Sequence, residues 1–121
     1  MGLFDDIEEK FLELSDGCYV VKVEGYSREK TIHGARPIMW QLQLMNEEHM
    51  QLPTKFSHIE NNAGFHILLR ELKELGFPKP RNTKELEEIL NSLIGCLLEV
   101  QVTTTNKEEG YRDIKLIRKL Y

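Results

Sequence analysis

In the stretch IMWQLQL, residues 38–44, Gln41 and Gln43 alternate with Trp40, Leu42 and Leu44. A strand with this pattern turns its amides to one side and its large apolar groups to the other. Trp40 shares its side with Ile38, Leu42 and Leu44 and is expected in the core, which leaves Met39, Gln41 and Gln43 to meet solvent. Lys22 in YVVKVEG and Lys55 in PTKFS are expected to project from the same surface. Polar connections add Tyr26, Arg28, Lys30 and Arg36 on one flank and Lys107, Tyr111 and Arg112 on the other. Cations neutralise phosphates, and flat rings stack on bases at about 1–3 kcal/mol per base, so these residue types suit a nucleic-acid strand held by its backbone and base faces.

Catalysis has no comparable set of residues. The chain contains no Gly-rich phosphate loop, no G-x-S-x-G turn and no H-E-x-x-H helix. His33, His49, His58 and His66 lack the short paired spacing of a zinc site. Glu47 with Glu48, and Glu87 with Glu88, are sequence neighbours, and adjacent side chains do not converge on one substrate. The expectation is a protein that is not an enzyme and uses no metal and no cofactor. Cys18 and Cys96 stand far apart in apolar, strand-like stretches and are expected as buried thiols.

The elements that must position these residues follow from periodicity. LFDDIEEKFLEL spaces Leu3, Phe4, Ile7, Phe11 and Leu14 by threes and fours, which predicts an amphipathic helix over residues 3–14 that SDG stops. Period two then takes over, with strands expected at about 18–27, 36–45 and 50–57. In the third of these, Leu52, Thr54 and Phe56 are expected inward and Lys55 and Ser57 outward, with Pro53 marking an edge or a bulge. NEEH supplies the turn before it.

NNAGFHILLRELKELGF carries Phe65, Leu68, Leu69, Leu72 and Leu75 on one helical stripe, with Asn61 or Asn62 as cap and Gly76 as stop. A proline-punctuated loop leads to a second short helix opened by Asn82 or Thr83, with Glu85 placed for a capping box. Two strands close the chain, joined by TNKEEG: Cys96, Leu98, Val100 and Val102 face inward from one, Ile114 and Leu116 from the other. Three strands, a helical insertion and two strands form the element order of the OB-fold. The expected fold is therefore mainly β with helices: an OB-fold-like five-stranded barrel, a helical insertion between the third and fourth strands, and an N-terminal amphipathic helix. Residues 1–16 are expected to form the acidic N-terminal helix and residues 17–121 the OB-fold-like domain.

Composition sets the outer limits. A chain of 121 residues with 40% hydrophobic and 30% charged residues suits one soluble domain, and no apolar run approaches a membrane span. MGLFDDIEEKF does not read as a secretion signal, so a cytoplasmic location is expected. A net charge of −4 argues against a phosphate-rich partner, yet residues 1–16 hold six acids against Lys10, and the rest of the chain carries +1.

With the strands placed, the chain resembles phage- and prophage-encoded OB-fold single-stranded DNA-binding proteins. The resemblance covers most of the chain after residue 16 and rests on DGCYVVKVEGY, the pair IMWQLQL and LPTKFSHI, the helix FHILLRELKELGF, and LIGCLLEVQVTTTNKEEGYRDIKLI. It implies an accessory protein of phage-type DNA replication or recombination that coats single strands. The basic ending IRKLY departs from the acidic tails of better-known bacterial single-strand binders. The competing reading is a protein-interaction module, such as a phage-encoded inhibitor of a host nucleic-acid enzyme, with a protein partner or self-association through the N-terminal helix. An acidic chain with few exposed aromatics is the feature that favours it.

Overall fold

Alternating apolar residues build the frame. The structure, a computed structural model, describes residues 14–32, 34–45, 52–106 and 111–121 together with Leu3. Its elements run β1 (Gly17–Arg28), β2 (Ile38–Leu44), β3 (Lys55–Ser57), α1 (Asn62–Glu74), α2 (Thr83–Leu93), β4 (Leu97–Asn106) and β5 (Tyr111–Lys119). All five strands pair antiparallel in the order β3-β2-β1-β4-β5, a curled half-barrel with two helices inserted between β3 and β4. Val21, Val23, Ile38, Trp40, Leu98, Val100, Val102, Ile114 and Leu116 fill its concave side, with Leu68, Leu72, Leu90 and Leu93 packed on them from the helices.

The helices begin where side chains satisfy their first amide groups. Asn61 Oδ1 accepts the Gly64 N–H at 2.6 Å, and Asn82 Oδ1 accepts the Glu85 N–H at 2.9 Å. Gly64 lets α1 start hard against the end of β3, because a Cβ at that position would overlap the His58 carbonyl oxygen. The capping box expected of Glu85 forms one residue early: its carboxylate takes the Arg81 N–H at 2.9 Å rather than that of Asn82. Arg81, whose guanidinium binds the same carboxylate, holds Glu85 below the ordinary range. Among the described residues no helix is long and apolar enough to cross a membrane.

The order of the sheet leaves β3 and β5 as its two edges, and α1 packs against both. The gap is closed by side chains. Lys55 on β3 donates to the Ile114 carbonyl of β5 at 2.6 Å and lies 3.0 Å from Glu71 Oε2 of α1. The same Glu71 oxygen accepts the Leu116 N–H of β5 at 2.7 Å. Lys55 and Glu71 are each only 4% exposed, so an ion pair shut away from water replaces the missing ladder between the edge strands.

This arrangement reverses the expected facing of β3. Lys55 and Ser57 point inward, while Thr54 and Phe56 point outward. The reason is a break in phase: Pro53 has no N–H to give a ladder, strand pairing begins only at Lys55, and a slip of one residue exchanges the two faces of a strand. The inward position of Ser57 is used as well, since its hydroxyl accepts the Trp40 Nε1–H at 2.9 Å. Cys18, expected buried, is exposed on β1, because Tyr19, Val21 and Val23 take the inner face. Cys96 is half-buried, its thiol 3.4 Å from the Ser92 carbonyl oxygen.

The helix expected over residues 3–14 falls outside the described residues, except that Leu14 is buried in the core and Leu3 is exposed. The NEEH turn and most of TNKEEG also lie outside them.

Removing one member of a buried pair strands the other charge, at about 3–5 kcal/mol. Glu71→Ala and Lys55→Ala are therefore each expected to lower the unfolding free energy by that amount in urea titrations. Because each variant destroys the same pair, the double variant should lose clearly less than the sum of the two.

Candidate nucleic-acid interface

The outer face of the half-barrel is a short lattice of cross-strand neighbours. Lys22 on β1 lies opposite Gln43 on β2, Gly25 opposite Gln41, and Ser27 opposite Met39, which in turn lies opposite Phe56 on β3. Residues opposed across an antiparallel pair share one face, with Cβ atoms about 4.5–5.5 Å apart. A bulge between Val23 and Gly25 shifts the register, and the Gln41 amide lies over Gly25, its oxygen 3.0 Å from where a Cβ would sit. Phe56 is 39% exposed and stacks with His58, ring centres 6.2 Å apart and planes 28° from parallel. A cation and two amides thus grade into a thioether and two flat rings.

Several of the anticipated contact residues belong to this surface and others do not. Lys22, Gln41 and Gln43 lie on it as expected. Lys55 does not, and its charge is taken by Glu71 and the Ile114 carbonyl. Tyr26 lies opposite Trp40 on the inner side, and its hydroxyl donates to Asn91 Oδ1 at 2.6 Å. Burial, with Glu87 nearby, pushes its phenol above the ordinary value of 10.0, so it stays a neutral donor that joins β1 to α2.

Arg28 clamps the loop that follows β1. Its Nε and Nη2 donate to the Arg36 carbonyl at 3.0 and 2.7 Å, while Glu60 accepts the Arg36 N–H at 3.0 Å. The Arg36 and Lys30 side chains are exposed on this loop, at the margin of the face. On the other flank, Arg112 is 12% exposed and lies 3.4 Å from Asp16. Lys107 is outside the described residues; for Tyr111 the backbone pairing to Asn106 is described and the side chain is not.

Asp16 is held below its ordinary value, first by the backbone N–H of Thr104 at 3.1 Å, then by the Thr104 hydroxyl at 2.8 Å, with a smaller contribution from Arg112. A depressed folded value gives stabilisation that is present above the ordinary value of 3.8 and is lost as pH falls through the folded value. Asp16→Asn should accordingly lower the urea midpoint at neutral pH, and the gap to the parent should narrow as the pH is taken below 3.8.

Phe56, His58, Arg70 and Lys115 are the surface residues that periodicity did not assign to the interface. They line a groove of about 330 Å³ that follows the gap between β3 and β5, together with Ile67 and Asp113. One signal for this arrangement was present in the sequence: Glu71 falls three residues after Leu68 and four before Leu75, inside the apolar stripe of α1, where a carboxylate requires a buried cation. Among the described residues no three His, Cys, Asp or Glu side chains gather as a metal site would need. Neither protein-family models nor curated proteins give a match to this chain.

The two aromatic side chains of the β2–β3 pair should separate cleanly in stability measurements. Trp40→Ala is expected to cost about 3–5 kcal/mol through the cavity it leaves. Phe56→Ala, on the outer face, should cost well under half of that in the same urea titration.

Proposed function

We propose that this chain is a sequence-tolerant single-stranded DNA-binding protein of the OB-fold type, an accessory of phage-type replication or recombination. The observation that carries the reading is the outward turn of β3, which sets Phe56 and His58 beside Met39, Gln41, Gln43 and Lys22 on one face. Stacking on flat rings is indifferent to base identity, since every base has a π-face, and amides accommodate either donors or acceptors at base edges. In the OB-fold the second and third strands carry the ligand face. The sheet order, with β3 and β5 as edges brought together across α1, supports that assignment. The function follows from binding alone: a coated strand is kept from pairing and from nucleases, and no bond is made or broken.

Fluorescence anisotropy with a labelled oligothymidylate across a salt series tests the proposal. Affinity should fall steeply with salt, and Phe56→Ala should weaken binding by the about 1–3 kcal/mol of one stacked base, roughly 5- to 150-fold. Lys22→Gln should reduce the log–log salt slope by about 0.7, the value of one phosphate contact on a single strand. Fluorescence from Trp40, the chain's one tryptophan, should stay blue-shifted and unquenched by the oligonucleotide, because the indole is 3% exposed. Absence of binding at micromolar protein and low salt would refute the reading.

A further inference from the structure

The groove between β3 and β5 does not stop at the sheet. Arg70 lines it on one side and, on its other side, lines a second groove of about 630 Å³ that runs along α1 past Lys73 to Phe77 and Lys79. His66, Arg70 and Lys73 lie four and three residues apart, so they form one stripe on the helix surface, about 6 Å and then 4.5 Å apart along its axis. Lys115 stands across the first groove on β5, and Lys119 lies 6.0 Å over the Phe77 ring in the second. The acids that line this path are Asp113 and Glu71, both in the first groove, and Glu71 is paired with Lys55; Glu74 is exposed at the end of α1. Among the described residues, none of Arg70, Lys73, Lys79 and Lys115 forms an ion pair.

Unpaired cations along two connected grooves, with a ring at each end, match an anion that is extended and carries flat groups. Resting on the single-strand reading above, we infer that the DNA backbone leaves the sheet face at Phe56, crosses the β3–β5 gap between Arg70 and Lys115, and continues along α1 to Lys73, Lys79 and Phe77. The ligand path thereby passes over the buried Lys55–Glu71 pair, at the seam of the half-barrel that side chains close. The site size then exceeds what the β2–β3 face alone spans, and α1 serves both to close the fold and to carry half of the ligand.

Length dependence tests the inference separately from the binding function itself. Labelled oligothymidylates of about 5 and about 15 nucleotides span the range of site sizes known for single OB-folds. Arg70→Gln/Lys73→Gln, both exposed positions, should retain the parent's circular dichroism and urea midpoint. Its affinity for the long oligonucleotide should fall at least tenfold, with the salt slope lower by about 1.4, twice the value of a single contact. The short oligonucleotide, held on the sheet face, should bind as it does to the parent, while Phe56→Ala should weaken both. Equal weakening of both lengths, or no change in either, would overturn the α1 path and leave single-strand binding standing. Failure of the parent to bind either length would overturn both.

Discussion

An ammonium and a carboxylate, each only 4% exposed, hold the two free edges of this sheet together. Lys55 gives its charge to Glu71 and a hydrogen bond to the Ile114 carbonyl; Glu71 takes Lys55 and the Leu116 amide in return. Desolvating two ions is costly, and a well-packed apolar pair often serves stability as well. What an apolar pair cannot supply is partners for the backbone groups of β5 at the seam. The ion pair satisfies both an orphan acceptor and an orphan donor, and it fixes which strand of the sheet α1 must cross.

The outer face depends on the same contact. With Lys55 drawn inward to Glu71, its neighbour Phe56 must turn outward, opposite Met39. The chain gives up one surface cation and gains an aromatic ring where β2 and β3 meet solvent. For a ligand held by stacking, that exchange favours binding, and the cations of α1 and β5 lie close enough to replace the charge. A contact made for closure thus determines the chemistry of the surface.

Much of this fold was legible because periodicity reports which side of an element is apolar. The strands around Val21 and Val23, Ile38 and Trp40, Val100 and Val102, and Ile114 and Leu116 all face as their alternation requires. The stop at Gly76, where φ is 95°, was equally plain, while each cap was narrowed to two neighbours, Asn61 or Asn62 and Asn82 or Thr83, of which the structure uses the first. Facing failed at β3 for a physical reason. A three-residue strand carries too little alternation to set its own phase, Pro53 interrupts what precedes it, and the register is set instead by partners distant in sequence, Glu71 and Ile114. Lys55 was counted among surface cations because alternation with Leu52, Thr54 and Phe56 put it outside; buried lysine is rare, but a carboxylate waiting inside makes the exception. Arg28, Tyr26 and Arg112 were legible as residue types but not as partners, since their acceptors, Arg36, Asn91 and Asp16, lie on other segments.

The seam is tested most directly by hydrogen exchange at the Leu116 amide. This N–H lies on the outer side of an edge strand, and Glu71 Oε2, at 2.7 Å, is its acceptor. If the buried pair closes the half-barrel, the Leu116 amide exchanges as slowly as the ladder amides of the β1–β4 pair, at the rate set by global unfolding. Exchange as fast as in the exposed loop at residues 29–30 would show that the seam is open and that Lys55 and Glu71 do not hold it.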